Sequence, residues 1–375
     1  MKFKVNSARL AVALVPALVL ATQAFAQLRD TKLNDSQEPG SVIVFPKFVR
    51  GTVTLPEGAI PAPASELEIG VVCPKGVTCP EHQPVKIRFH WVCGTSEANL
   101  ADSFICQDTD FDVTATVYEK IVLTPDGSFS GVSTKQVPAA FCDRGYLIGW
   151  VIRPADDKPI KFDGLIGDAV LRESGTAQAA YPAIPIQADP ALANAAAVTT
   201  NGNGALLFDG APGDYLAVTG RVLGDVRYDT QTGPTFTRGS LTLLTLDVKS
   251  NRPNNPVSVD LDFFGGFGSS IGNENQLSTS TEFICWEEIF LTDIDPNLVT
   301  TVMGRKGVFA SAPAEKVGIF GIQDETGPTT LLGLSETLEG PLPTAPWSRA
   351  SYYALFNDSV VVPTRFLPTP PIFLP

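Results

Sequence analysis

Histidine is almost missing from this chain: His82 and His90 are the two among 375 residues. No histidine follows residue 90, so a hydrolase running Ser…Asp…His in chain order has no base to use. Basic residues are outnumbered, 27 against 40 acidic, giving a formal net charge of −13. A surface of that sign repels phosphate backbones and anionic headgroups, which excludes nucleic acid as a partner. Sustained 3.6-residue periodicity is lacking, which excludes alternating βαβ units. After the first 26 residues no stretch approaches the about 20 apolar residues that cross a bilayer, so the mature chain is expected to have no transmembrane segment. No Gly-rich phosphate loop, thiol nucleophile dyad or dinucleotide fingerprint occurs.

Residues 1–26 have the build of a secretory signal peptide. Lys2, Lys4 and Arg9 are its positive start, Leu10–Ala21 its apolar centre, and Ala24-Phe25-Ala26 a small-x-small cleavage site. Loss of those three cations leaves the mature chain, beginning at Gln27, still more acidic. No cysteine follows the cleavage site to take a lipid. The expected address is outside the cytoplasm: periplasm, cell surface or medium.

Glycine (32) and proline (31) are abundant and suit turns better than helix interiors. Between them run short segments of period-two hydrophobicity. Residues 84–94 read PVKIRFHWVCG and residues 256–266 read PVSVDLDFFGG, so Val85, Ile87, Phe89 and Trp91 match Val257, Val259, Leu261 and Phe263. Such alternation marks half-buried strands. A second block pairs Val117–Thr124 with Cys285–Thr292, and a weaker third pairs Leu165-Ile166-Gly167 with Leu331-Leu332-Gly333. Leading strands are expected at Leu67–Val72 and Leu241–Val248.

These blocks, repeated in one order, predict an all-β protein: two tandem β-sandwich domains, Ig-like or jelly-roll-like, arising from an internal duplication. The expected organisation is a signal peptide over 1–26 and a first sandwich over 27–190. A linker and lead-in strand follow over 191–235, then a second sandwich over 236–375 ending in a Pro-rich tail. A short helix is expected near Pro190–Ala197.

The six cysteines are Cys73, Cys79, Cys93, Cys106, Cys142 and Cys285. An even number behind an export signal implies disulfides. Nearness in sequence favours Cys73–Cys79 and Cys93–Cys106, leaving Cys142–Cys285. Five cysteines fall in the first module and one in the second, so complete oxidation within the chain requires a bridge between modules.

Several constellations resemble reactive sites. Cys73, Cys79, His82 and His90 are zinc-type ligands without a finger's spacing. Gly268-Ser269-Ser270-Ile271-Gly272 matches G-x-S-x-G but has no helix behind it. Asp108, Asp110 and Asp112 alternate as in a Ca²⁺ loop, yet Val113 stands where the turn glycine should be; Asp293, Asp295 and Asn297 are similar. Glu119 and Glu287 lie at matching repeat positions, with Glu288 adjacent to the second, and paired carboxylates could serve glycoside hydrolysis. Trp91, Trp150 and Trp286 read as core, and Trp347 as a platform for a sugar face.

The segments Phe162–Asp168, Glu282–Trp286 and Asp295–Leu298 resemble those of uncharacterised secreted bacterial β-rich proteins. That resemblance implies a bacterial, exported setting and carries over no functional residue. The expected function is therefore a non-catalytic structural or binding protein of the envelope or secreted matrix, with surface components or glycans as partners. No cofactor is expected beyond a weak Ca²⁺ candidate. The alternatives are a secreted hydrolase of polysaccharide or ester, or a pair of carbohydrate-binding modules.

Overall fold

The computed structural model describes residues 34–357, apart from 36, 57–59, 95–105, 128–134, 203, 219–221, 227–229, 233–234, 247–256, 266–275, 295–306, 312–314, 317–329 and 343–346. The signal peptide, the G-x-S-x-G segment, Asp295, Asn297 and the Pro-rich tail lie outside the described residues.

The first half carries β1 (Val42–Val49), β2 (Thr52–Thr54), β3 (Pro61–Pro63), β4 (Ser65–Val71), β5 (Pro84–Cys93), β6 (Asp108–Thr116), β7 (Lys120–Leu123), β8 (Arg144–Ile152), β9 (Leu165–Arg172), β10 (Gln178–Pro182) and β11 (Ile184–Ile186). The second half carries β12 (Val222–Val226), β13 (Thr230–Thr232), β14 (Thr235–Thr245), β15 (Val257–Gly265), β16 (Gln276–Phe283), β17 (Trp286–Phe290), β18 (Gly307–Ser311), β19 (Glu315–Lys316), β20 (Leu331–Gly340), β21 (Arg349–Ala354) and β22 (Phe356–Asn357). Among the described residues one helical turn, Leu291–Ile294, accompanies them, and no helix there is long and apolar enough to cross a membrane. Pro190–Ala197 forms turns rather than the expected helix, with Asp189 accepting from the Ala191 N–H as an Asx turn does.

The protein is nearly all β, with strands in antiparallel sheets. One sheet has the order β11-β1-β8-β5-β6 and faces a second of order β10-β9-β4-β7. Their inner faces interleave Ile43, Phe45, Ile87, Phe89, Trp91 and Leu147 with Leu67, Ile69, Ile121, Leu123 and Leu171. The period-two pattern places these side chains inward: β4 alternates between buried and half-buried along its whole length. Strands β1 and β8 differ, being apolar on both faces because both faces are covered. The outer face of this sheet, with Val44, Ile148, Trp150 and Ile186, is covered by Val198, Phe208 and Tyr215 of the connection and by Leu244, Trp286 and Leu332 of the second half.

In the second half the orders are β22-β12-β18-β15-β16 and β21-β20-β14-β17, with β13 joining β14 and β19 joining β15. Each position has a counterpart in the first half in the same chain order. The registers agree in detail: Ile69 lies opposite Gly167, and Leu243 opposite Gly333. Both glycines are needed for close packing. A Cβ would fall 2.5 Å from the Glu68 carbonyl at Gly167, and 2.4 Å from the Thr242 carbonyl at Gly333. The β17 pairing is shifted by comparison, with Leu241 opposite Ile289 where Leu67 lies opposite Leu123.

Candidate functional site

The most concentrated polar chemistry lies where the two halves meet, and it begins with a proline in a strand. Pro46 has no N–H to give a ladder, and the β1–β8 register slips between Phe45 and Phe48. The bulge sets Phe45 and Phe48 on the same inner core and turns Lys47 away from it. The freed Pro46 carbonyl accepts the Trp286 indole N–H at 2.6 Å. That indole lies on Gly94, where a Cβ would be 1.8 Å from the ring.

Lys47 is fully buried and meets three carboxylates. Its Nζ is 2.7 Å from Glu336 Oε2, 3.1 Å from Glu288 Oε1 and 3.1 Å from Glu173 Oε1. Arg144 adds a second cation, with Nη1 2.5 Å from Glu288 Oε2 and Nη2 3.3 Å from Glu173 Oε2. The Ser240 hydroxyl donates to Glu336 Oε2 at 3.1 Å, and the Tyr352 hydroxyl lies against the same carboxyl. Tyr181 and Tyr352 close the site, their ring centroids 6.2 Å apart. The Tyr181 hydroxyl donates to the Lys47 carbonyl.

Two cations against three carboxylates leave room for one proton, and the surroundings decide where it goes. Burial opposes the charge of Glu288, but Lys47 and Arg144 outweigh it and hold that carboxyl down at about 2. Glu173 is lowered by the same two cations against the same burial. Glu336 has Lys47 as its partner cation, and burial, with the charges of Glu173 and Glu288 adding to it, pushes it up to about 7. Burial also works against the Lys47 ammonium; the three carboxylates reverse this and raise it. The cluster thus contains one carboxyl inclined to be neutral among ionised neighbours.

The disulfides differ from two of the expected pairs. Cys73–Cys79 forms as expected, but Cys93 pairs with Cys142, and Cys106 with Cys285. Sequence nearness misleads because ladders decide. Cys93 lies opposite Gly145 across the β5–β8 ladder, which brings it within a Cα distance of 5.6 Å of Cys142. Cys106 sits on the outer-face core with Cys285 and Trp286, so the bridge between halves starts there instead of at Cys142.

The other sequence candidates are drawn into structure. The zinc-type set is consumed, since Cys73 and Cys79 are oxidised, His82 is exposed, and buried His90 stacks on Trp150 with Nδ1 against Asp108. Asp112 is paired with Arg88 and Lys86 at 2.9 and 2.8 Å. Burial resists its charge, and hydrogen bonds from those two cations overcome it and lower its pKa. Asp110 stands exposed between Asp108 and Asp112, and among the described residues no group of three or more such ligands is arranged for a metal ion. Glu119 accepts from Lys135 and from the Thr116 backbone, closing the β6–β7 turn and lowering its pKa. Glu287 is raised to about 7 by burial alone. Glu288 lies at the junction instead, so the three glutamates form no pair.

Trp91, Trp150 and Trp286 are buried as expected. Trp347 is not a free platform: it is 5% exposed, packs on Ala177, Leu338 and Ala350, and its carbonyl accepts from Ser174 and Thr176. Sequence reading missed Lys47, Arg144, Glu173 and Glu336. The available signals were a lysine inside the apolar run Val42–Val49 and a glutamate inside Leu331–Leu338.

No family model matches the chain, and no curated protein matches it. Among solved structures it is similar to the crystal structure of the CupB6 tip adhesin from Pseudomonas aeruginosa, at 10% identity and a TM-score of 0.13, over 86% of this chain and 98% of that one. At that score the likeness assigns neither fold nor role.

Proposed function

We propose that this chain is an exported bacterial protein with a non-catalytic structural or binding role in the cell envelope or secreted matrix. In this reading it is an internal duplication whose two sandwiches, bounded near residues 27–190 and 236–375, are fixed to one another as a single body. The observation that carries it is the junction. A disulfide, a buried indole and a five-member ion cluster all connect the same two halves. Matching strand orders and the paired Gly167 and Gly333 registers support duplication. Three disulfides suit an oxidising compartment.

The residue chemistry supports the non-catalytic half of the proposal. Glu119, Glu288 and Asp112 are each committed to cations, and Trp347 to packing. Fractionation of the producing bacterium, followed by chemical cross-linking and capture of the tagged chain from native envelope, tests the role. A defined envelope or matrix partner, or a regular assembly, is expected. Recovery in the cytoplasm, or as an unpartnered monomer with turnover of a polysaccharide or ester, overturns it.

A further inference from the structure

We propose that Lys47 and Glu336 form an intramolecular amide cross-link, a covalent tie between β1 and β20 in addition to the Cys106–Cys285 bridge. The reacting groups are already in contact: Nζ lies 2.7 Å from Glu336 Oε2, and neither side chain has exposed surface. Holding an amine against a carboxyl in fixed geometry supplies the large effective concentration that condensation in water lacks. Burial removes the bulk water that would favour the reverse reaction.

The site also separates the roles that condensation needs. An amine attacks a neutral carboxyl far more readily than a carboxylate, and Glu336 is the member of the cluster pushed toward neutrality, to about 7. A base must take the first ammonium proton, and Glu288, 3.1 Å from Nζ, is held ionised, down at about 2. Divergent environments for neighbouring carboxyls are how acid and base roles are assigned in a site. Lys47 itself is kept protonated while three carboxylates face it. A neutral Glu336 removes one of them and leaves Glu288 and Glu173 as proton acceptors.

The step balances without any further reagent. Nζ gives one proton to Glu288, and the free amine attacks Cδ of Glu336. The Nζ–Cδ bond forms, a second Nζ proton passes to the departing oxygen, and the Cδ–Oε1 bond breaks to release water. Oε1, the oxygen that Ser240 does not hold, is the one that leaves. Oε2, which receives the Ser240 hydroxyl at 3.1 Å, remains as the amide carbonyl. The product replaces a buried ammonium by a neutral amide, leaving Arg144 facing one carboxylate and one neutral acid. Buried charge is costly, so its removal favours the product.

Intact mass spectrometry of the purified exported chain, with disulfides reduced and the N-terminus mapped, tests this. The mass should fall one water, about 18 Da, below that of the sequence, and digestion should yield the Lys47 and Glu336 peptides joined. Lys47→Arg keeps the charge and should restore the full mass, and Glu288→Gln should leave most of the chain unlinked. A wild-type chain at full sequence mass overturns the proposal. So does recovery of the two peptides separately, or a water loss that persists in Lys47→Arg.

Discussion

Removing the Cys106–Cys285 bridge, by replacing both residues with serine, tests whether the halves unfold as one body. This bridge closes a separation of 179 residues, against 49 for Cys93–Cys142 and 6 for Cys73–Cys79. In the chain-entropy model those loops correspond to about 5, about 4 and about 2 kcal/mol of restriction on the unfolded chain. With shifts of roughly 2 °C per kcal/mol for a large chain, loss of the longest bridge should lower Tm by on the order of 10 °C. The outer-face core and the ion cluster span the same junction, so one transition should persist in the variant. Differential scanning calorimetry of the three double-serine variants reads both quantities. Two separated transitions, or a Cys106/Cys285 variant no less stable than the Cys73/Cys79 one, would refute the picture of one fused body.

Lys47→Met should cost about 3–5 kcal/mol in urea unfolding, because it strands buried carboxylates, whereas Lys120→Met at an exposed pair with Glu68 should cost under about 1 kcal/mol. Gly333→Ala drives a Cβ against the Thr242 carbonyl and should cost about 1–3 kcal/mol or more, while Gly202→Ala, with open space around it, should be close to neutral by thermal melting. Trp347→Ala should cost about 3–5 kcal/mol, and Tyr353→Ala at an exposed position about 0.5 kcal/mol or less. Asp214 is pushed up to about 7 by burial and by the neighbouring Asp209 and Asp189, with Thr199 opposing. Its folded pKa exceeds its unfolded one, so the stability it confers is complete in acid and is lost as pH rises through about 7. Asp214→Asn should flatten that decline in a Tm–pH profile; an unchanged slope would sink the assignment.

The sequence reveals strands most clearly where one face meets solvent. β4 and β6 alternate visibly because their outer sides carry Glu66, Glu68, Asp110 and Asp112. β1 and β8 are buried on both faces, so their apolar runs have no period to read. The Leu-x-Gly echo at residues 165 and 331 is legible because a backbone carbonyl leaves no room for a Cβ at either glycine. The cross-half disulfide follows in kind from counting five cysteines against one, but its first-half partner depends on which residue reaches the outer face. The ion cluster is least legible. Its members span residues 47 to 336, and a lone lysine in an apolar run gains meaning only when the bulge at Pro46 fixes where it points.

The shared outer-face core has a consequence for the order in which the chain is made. Synthesis delivers the N-terminal half first, and that half arrives with Val44, Ile148, Trp150 and Ile186 on a surface whose cover includes Leu244, Trp286 and Leu332. Until residue 332 has emerged, the leading half carries a greasy flank and an unmated thiol at Cys106. The outer face of the first half and its Cys106 bridge are therefore completed only once Cys285 and Leu332 are present.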